Sequence, residues 1–218
     1  MTETLLAPTF LFHFSAPLLR CKKSWTAKGV QLDAKYELPS FGELEDRLKF
    51  ADVRAAWNDN GLFFNVRVSG KKQSPWCRGT RLDDSDGLHV WIDTRDTHNI
   101  HRASRFCHRF VFTPAGGGRK LEDSVADLID INRAREKPKP CYKARPLIRS
   151  EKRVDGYLLE SHIPTESLTG FNPSDHPRLG FAYAVVDREL GWQTFSVGAE
   201  FPFADDPSLW GTLELAGA

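Results

Sequence analysis

The segment Leu88–Asp93 alternates between aliphatic and polar or aromatic side chains. A strand has a period of two, so His89 and Trp91 lie on the face opposite to the aliphatic residues. With the aliphatic face in a core, an indole ring is left outward among polar groups. A flat ring can cover the apolar face of a sugar while charged side chains hydrogen-bond its hydroxyls. This predicts a saccharide-binding face carrying His89, Trp91 and Arg109, with Trp76 as a loop platform. The alternative is that Trp91 is covered by an inserted helix, which is described below.

An acidic run precedes this strand. Asp83, Asp84 and Asp86 supply carboxylate oxygens, the ligand type that calcium prefers. The spacing does not match an EF-hand loop, which needs a glutamate at its end. Aspartate and glycine are also the residues that a turn before a strand requires. Calcium held by these three residues and an ordinary acidic turn are therefore both open.

The densest group of transition-metal ligand types is His98, His101, Cys107 and His108. Their spacing matches no standard zinc pattern, and the arginines between them oppose a cation. Neighbouring residues of a strand point to opposite faces, which separates Cys107 from His108. We favour a solvated or anion-facing surface, with a metal-dependent enzyme as the alternative. The chain has no G-x-S-x-G nucleophile elbow, P-loop or dinucleotide-binding glycine pattern, so we expect no catalysis.

Composition narrows the class of protein. The chain has 218 residues, of which 40% are hydrophobic and 27% charged, which suits a folded domain with a sizeable core. The net charge of +1 gives no general attraction to nucleic acid or to an anionic membrane. No apolar run reaches the roughly 20 residues that a transmembrane helix needs. Residues 2–4 contain no basic n-region, so we expect no signal peptide, a cytoplasmic location and four free thiols.

Short segments of strand character recur along the chain. Asn58–Gly61 is a strong turn signal between Ala51–Trp57 and Leu62–Val68, which predicts a hairpin. The other predicted strands are Phe10–Phe14, Leu88–Asp93, Phe106–Phe112, Tyr142–Ile148, Tyr157–Ile163, Gly180–Val186, Thr194–Val197 and Thr212–Leu215. Many short strands without long alternating helices predict an all-β fold, a two-sheet antiparallel β-sandwich of jelly-roll type in one domain, residues 1–218.

One stretch has a different period. Leu121, Val125, Leu128 and Ile129 fall at helical spacing. We therefore expect one short helix inserted into the sandwich, at about residues 119–137.

Several blocks of the chain carry a family resemblance by their order and spacing. They are Val53–Phe64, Asp86–Asp93, Gly156–Glu160, Gly180–Asp187, Gly191–Gln193 and Asp206–Leu213. Together they resemble the family 9 carbohydrate-binding modules over roughly residues 40–215. That family is a β-sandwich related to the DOMON-like group, whose members bind sugars or haem.

The resemblance implies a site in which two tryptophans hold a terminal sugar, assisted by a carboxylate and an arginine. Trp76 resembles the first tryptophan, and Arg109 falls where the arginine would be. His89 occupies the place of the carboxylate. The second tryptophan, expected just before Asp206, is absent, since residues 204–205 are alanine and aspartate.

The resemblance also bears on cofactors. Haem-binding members use methionine with histidine or lysine as axial ligands, and Met1 is the only methionine here, so we expect no cofactor beyond the calcium considered above. The favoured interpretation is a non-catalytic module for a saccharide or related polyol. One alternative is a structural or protein-interaction domain with a decayed sugar site. A metal- or haem-binding protein is the less favoured alternative.

Overall fold

Two β-sheets pack face to face in this protein. The computed structural model describes residues 8–141 and 144–217. The strands are β1 (Ser15–Leu19), β2 (Ala51–Asn58), β3 (Gly61–Ser69), β4 (Gly87–Asp93), β5 (Cys107–Gly117), β6 (Asp123–Ile129), β7 (Leu147–Arg153), β8 (Gly156–Pro164), β9 (Arg178–Asp187), β10 (Gly191–Thr194) and β11 (Gly211–Ala216). The described helices are α1 (Pro8–Leu11) and the 3-10 helices Ala34–Tyr36, Phe41–Glu45, Leu82–Asp84, Thr165–Ser167 and Pro207–Leu209.

The larger sheet has seven strands in the order β1-β11-β9-β4-β5-β6, with β10 also paired to β9. All neighbours are antiparallel except β1 and β11, which are parallel. The smaller sheet has the order β2-β3-β8-β7 and is antiparallel throughout. The predicted two-sheet sandwich is therefore confirmed.

The turn between β2 and β3 shows how the sequence sets one register. Asn58 pairs with Gly61, and the Asn58 side-chain oxygen accepts a hydrogen bond from the backbone N–H of Asn60. Gly61 has φ 132°, and a Cβ there would collide with the carbonyl oxygen of Ile163 on β8. Glycine is needed at this position because only it combines that backbone angle with so close an approach. The predicted hairpin is confirmed.

The core lies between the inner faces of the two sheets. Its largest fully buried side chains include Trp57, Phe64, Phe110, Phe181 and Phe195. Since strand side chains alternate between faces, the residues between them point outward and meet the loops. Two further apolar clusters result, one on the outer face of each sheet.

The expected helix at residues 119–137 is wrong. The segment Asp123–Ile129 forms β6, an edge strand that pairs with β5. Ala126 and Leu128 point into the core, and Val125 and Ile129 lie on the other face. The helical count also depended on Leu121, which is an exposed turn residue with φ 58°. A short apolar run can fit the helical period and the strand period equally well, so pairing with β5 decides the structure here.

Three other predicted strands need correction. Residues 8–11 are helical and the first strand begins at Ser15, beyond the predicted segment Phe10–Phe14. The tenth strand ends at Thr194, where the predicted Thr194–Val197 begins. Residues 142–143 of the predicted strand Tyr142–Ile148 lie outside the described residues, and β7 begins only at Leu147. Within the described ranges, no helix is long and apolar enough to cross a membrane.

Candidate functional site

The outer face of the larger sheet brings together three of the predicted ligand-binding residues. Trp91 on β4 lies directly opposite Arg109 on β5, and His89 is two residues from Trp91 on the same face. The Arg109 guanidinium lies over the indole, 5.1 Å from its ring centre, and donates a hydrogen bond to Nδ1 of His89 at 3.2 Å. The sequence therefore predicted a real cluster of side chains.

The predicted exposure of Trp91 is wrong. Trp91 is fully buried, and His89 is 1% exposed. The indole N–H donates to the carbonyl oxygen of Ala204 at 3.0 Å, and the ring of Phe203 packs edge-on at 5.2 Å. The segment just before β11 covers Trp91. The expected helix does not, because its residues form β6. Burying the large ring is favourable, since its only polar atom finds a partner.

His89 is a buried neutral imidazole with a defined tautomer. Its Nδ1 accepts from Arg109, so the proton is on Nε2, which donates to the carbonyl oxygen of Ser85 at 3.3 Å. Burial, followed by the positive charge of Arg109, lowers the pKa of His89 to about 3. At neutral pH His89 therefore holds Arg109 as a hydrogen-bond acceptor without adding charge.

Arg109 carries a charge that no neighbouring acid neutralises directly. Its side chain is half-buried, and no carboxylate lies within 4.0 Å of it among residues 8–141 and 144–217. Its Nε is buried and has no partner among the described groups. Burial lowers the pKa of Arg109, while the more distant Asp83 and Asp205 act in the opposite direction. A guanidinium has several N–H donors in a fixed plane, and most of these have no partner among the described residues.

Two loops place acids near Arg109. Asp83 is exposed in the 3-10 helix Leu82–Asp84, just before the Ser85 that anchors His89. Asp205 lies next to Ala204 and accepts a hydrogen bond from the Asn132 amide at 3.2 Å. We call Asp83, His89, Trp91, Arg109 and Asp205 the Arg109 site. This site offers hydrogen-bond donors and acceptors for a polar ligand. The side chains that hold Arg109 in place, His89 and Trp91, are buried.

The three acids predicted for calcium do not converge. Asp86 points inward, where its carboxylate accepts from the backbone N–H groups of Trp76 and Arg188, each at 2.9 Å. Asp83 and Asp84 are exposed, and Asp84 pairs with Arg81 at 2.7 Å. The described part of the chain contains no group of three or more His, Cys, Asp or Glu residues suited to a metal ion. This geometry is that of an acidic turn.

The predicted histidine and cysteine cluster is also dispersed. His101 is exposed and pairs with Asp206, whereas His98 pairs with Asp96. Cys107 and His108 are both buried, and His108 accepts from the backbone N–H of Thr169 at 2.9 Å. Each of these side chains has a separate structural partner, so they do not form one site.

Comparison with known protein families then identifies the family of this chain. The model of the carbohydrate family 9 binding domain-like family matches residues 43–218. The protein belongs to this family. The predicted resemblance is thereby confirmed over most of the chain.

Solved structures support the same fold for the family 9 domain. Two structures of a carbohydrate binding module family 9 from Caldicellulosiruptor kristjanssonii, in complex with cellotriose and with glucose, align with a TM-score of 0.59 and 14% sequence identity. Each alignment covers 94% of this chain, and 95% and 97% of the other chains respectively. No curated protein matches the sequence. At this identity the likeness concerns the fold.

Two tryptophans of this family 9 domain lie apart from the Arg109 site. The Arg188 guanidinium lies 3.7 Å from the ring centre of Trp76, and that of Arg78 lies at 5.2 Å, so Trp76 offers a sugar less free ring surface than predicted. Trp192 on β10 is 44% exposed, on the same outer face as Val186. Sequence reasoning missed Trp192 as a candidate; its alternation with the inward-facing Gln193 was the available signal.

Proposed function

We propose that this domain binds a neutral saccharide, without catalysis, at the Arg109 site. Membership in the family 9 binding domain-like group supports the ligand class. The solved relatives that share the fold are complexes with cellotriose and glucose, which makes glucose-based saccharides the first candidates. The observation that carries the proposal is the Arg109 guanidinium, held by buried groups and without a carboxylate partner among the described residues.

The chemistry of the site suits hydroxyl groups. Arg109 can donate to adjacent sugar hydroxyls, and the carboxylates of Asp83 and Asp205 can accept from them. Trp91 is buried, so in this proposal it supports the guanidinium through its ring face and does not touch the sugar. His89 fixes the same guanidinium from its side. Binding then depends on oriented hydrogen bonds more than on stacking.

The test is the Arg109→Gln variant. Loss of the charged donors is expected to weaken binding of cellotriose at least about tenfold, because charge-assisted hydrogen bonds contribute more than neutral ones. Isothermal titration calorimetry with cellotriose and glucose measures the change. Arg119→Gln is the matched control, since Arg119 is exposed in the β5–β6 turn and outside the site.

A second variant separates binding from folding. Asp83→Asn keeps the shape of an exposed side chain and removes one charged acceptor, so binding should weaken while the thermal midpoint stays close to that of the unmodified protein. If both Arg109→Gln and Asp83→Asn bind cellotriose as tightly as the unmodified protein, the proposed site is wrong. Absence of saccharide binding by the unmodified protein would refute the proposed function.

A further inference from the structure

Two loops near the start of β5 form one basic surface. Residues 101–106 precede β5, and residues 130–139 follow β6. The backbone N–H of Arg135 donates to the carbonyl oxygen of Ala103 at 2.8 Å, and Nε of Arg102 donates to the carbonyl oxygen of Arg133 at 2.8 Å. The two loops are therefore held against each other. We call their six exposed cationic residues the basic surface, namely Arg102, Arg105, Arg133, Arg135, Lys137 and Lys139.

The acids around these loops are too few to neutralise the basic surface. Among the described residues, Lys137 alone of the six cations has a carboxylate within 4.0 Å, that of Asp130. The acids that lie in the loops or bond to them are Asp130, Glu136, Asp205 and Asp206. Six cations against these four carboxylates leave an excess of positive charge, which favours an anionic ligand.

The basic surface lacks the features of a membrane site or a nucleobase site. The large exposed hydrophobic side chains of the described chain all lie outside the two loops, so none could insert into a bilayer from here. Phe106 is the aromatic residue of the first loop, and the guanidinium groups of Arg95 and Arg105 lie 4.4 and 5.1 Å from its ring centre. That ring is already in contact with the protein and is a poor platform for a base.

The basic surface borders the Arg109 site. Asn132 directly precedes Arg133 and donates to the Asp205 carboxylate of that site at 3.2 Å. A saccharide chain bound at the Arg109 site would therefore have the basic surface beside it. Arginine suits carboxylates in particular, because its planar guanidinium can form two parallel hydrogen bonds with the two carboxylate oxygens.

We infer that the basic surface binds an acidic polysaccharide through the carboxylates of successive uronate residues. The saccharide class rests on the proposed function, whereas the charge of the ligand rests on the cations of the two loops. Each contact is exposed and contributes little, so several must act together. Binding should therefore weaken about tenfold or more as NaCl rises from about 50 to 300 mM, because salt screens exposed charges.

Two probes of equal charge test the ligand class by calorimetry at pH 7 and low salt. Tetragalacturonate carries a carboxylate on each sugar, and a thymidine pentanucleotide carries the same charge on phosphodiester groups. We expect tetragalacturonate to bind at least about threefold more tightly than the pentanucleotide. Equal or tighter binding of the pentanucleotide would overturn the assignment to a polysaccharide, and binding that is insensitive to salt would overturn the role of the exposed cations.

A triple variant, Arg105→Gln, Arg133→Gln and Arg135→Gln, tests the basic surface itself. None of these three side chains is hydrogen-bonded to a described group, since their bonds to the rest of the protein run through the backbone, so the fold should be kept. Tetragalacturonate binding is expected to weaken at least about tenfold. Cellotriose binding at the Arg109 site should stay unchanged.

The matched control removes the same charge from exposed residues outside both loops, in the triple variant Lys22→Gln, Lys28→Gln and Arg119→Gln. It should bind tetragalacturonate like the unmodified protein. Equal weakening in the two triple variants, or none in the first, would overturn the inference. An unmodified protein that binds cellotriose but not tetragalacturonate would overturn this inference alone. Binding of tetragalacturonate at the basic surface without any binding of cellotriose would refute the Arg109 site and leave the basic surface standing.

Discussion

The Lys71→Met variant is expected to lose about 3–5 kcal/mol of unfolding free energy, since it removes one partner of a buried ion pair and leaves the other unpaired. Lys71 is 6% exposed. Its ammonium nitrogen lies 2.5 and 2.7 Å from the two carboxylate oxygens of Asp187. Two further acids surround it, with Asp86 at 3.5 Å and Glu189 at 3.8 Å.

The effect should be large because the same acids hold the backbone of two loop segments. Asp86 accepts from the backbone N–H groups of Trp76 and Arg188, as described above. Asp187 accepts from the N–H groups of Glu189 and Leu190, both at 3.0 Å. Burial raises the pKa of Asp86, and Lys71 and the two N–H donors counter that shift. Without the ammonium group, acids that must stay close together lose the one cation that lies within ion-pair distance of them in the described structure.

Urea denaturation at pH 7 measures this loss. Lys49→Met is the matched control, because Lys49 bridges Glu37 and Glu43 with 38% of its side chain exposed, and surface pairs of this kind contribute at most about 1 kcal/mol. The double variant Lys71→Met, Asp187→Leu should recover part of the lost stability, since it removes both charges of the closest pair. A loss below about 1 kcal/mol for Lys71→Met alone would contradict this account.

The cluster of Lys71, Asp86, Asp187 and Glu189 also explains why Asp83, Asp84 and Asp86 do not converge. Asp86 stands in a run of acids that is typical of an oxygen-rich cation site. Asp187 is about a hundred residues away along the chain and comes close to Asp86 because β4 and β9 are neighbours in the sheet, while Lys71 lies in the loop between β3 and β4. Sequence spacing carries no information on that meeting. The cation beside Asp86 is supplied by the chain itself.

The strands of the sandwich were easier to predict from the sequence than the segment that covers their outer face. The β2–β3 hairpin and the alternation in Leu88–Asp93 follow from local periodicity and turn residues, so they could be predicted. The same alternation placed His89 and Trp91 on one face correctly. Their burial could not be predicted, because Phe203 and Ala204 are more than a hundred residues away and carry no strand signal. The sequence therefore predicted which side chains lie together in the candidate site, but it did not predict their burial.

Acidification from pH 7 to pH 4.5 is expected to reduce the unfolding free energy by about 5 kcal/mol through His89 and His108 alone. Burial lowers the pKa of His89 to about 3 and that of His108 to about 4. In the unfolded chain both titrate near 6.5. Below that value the unfolded state binds more protons than the folded state, so stability falls as the pH falls, by about 2.5 kcal/mol for each histidine. Typical domains have only about 5–15 kcal/mol in total, so the loss brings this one close to unfolding.

Other titratable groups set the pH range in which the effect of the two histidines can be measured. Burial also lowers the pKa of His13 and His162, which adds to the same trend. Burial raises the pKa of Asp86 and Asp93, so their protonation opposes the trend at the acid end. Staying at or above pH 4.5 keeps most carboxylates ionised in the unfolded chain, whose aspartates titrate near 3.9 and glutamates near 4.3. Within this window the histidines dominate the slope.

Replacing the two histidines by glutamine separates this mechanism from general acid sensitivity. Glutamine at 89 can still accept from Arg109 and donate to Ser85, and at 108 it can still accept from the N–H of Thr169, yet neither side chain titrates. The double variant should therefore lose most of the pH dependence of the urea midpoint between pH 7 and pH 4.5. His101→Gln is the control, because the His101 side chain is 78% exposed and its loss should leave the slope intact. Equal slopes in the double variant and the unmodified protein would show that His89 and His108 do not remain neutral in the folded state. That result would also refute the role of a neutral His89 in orienting Arg109.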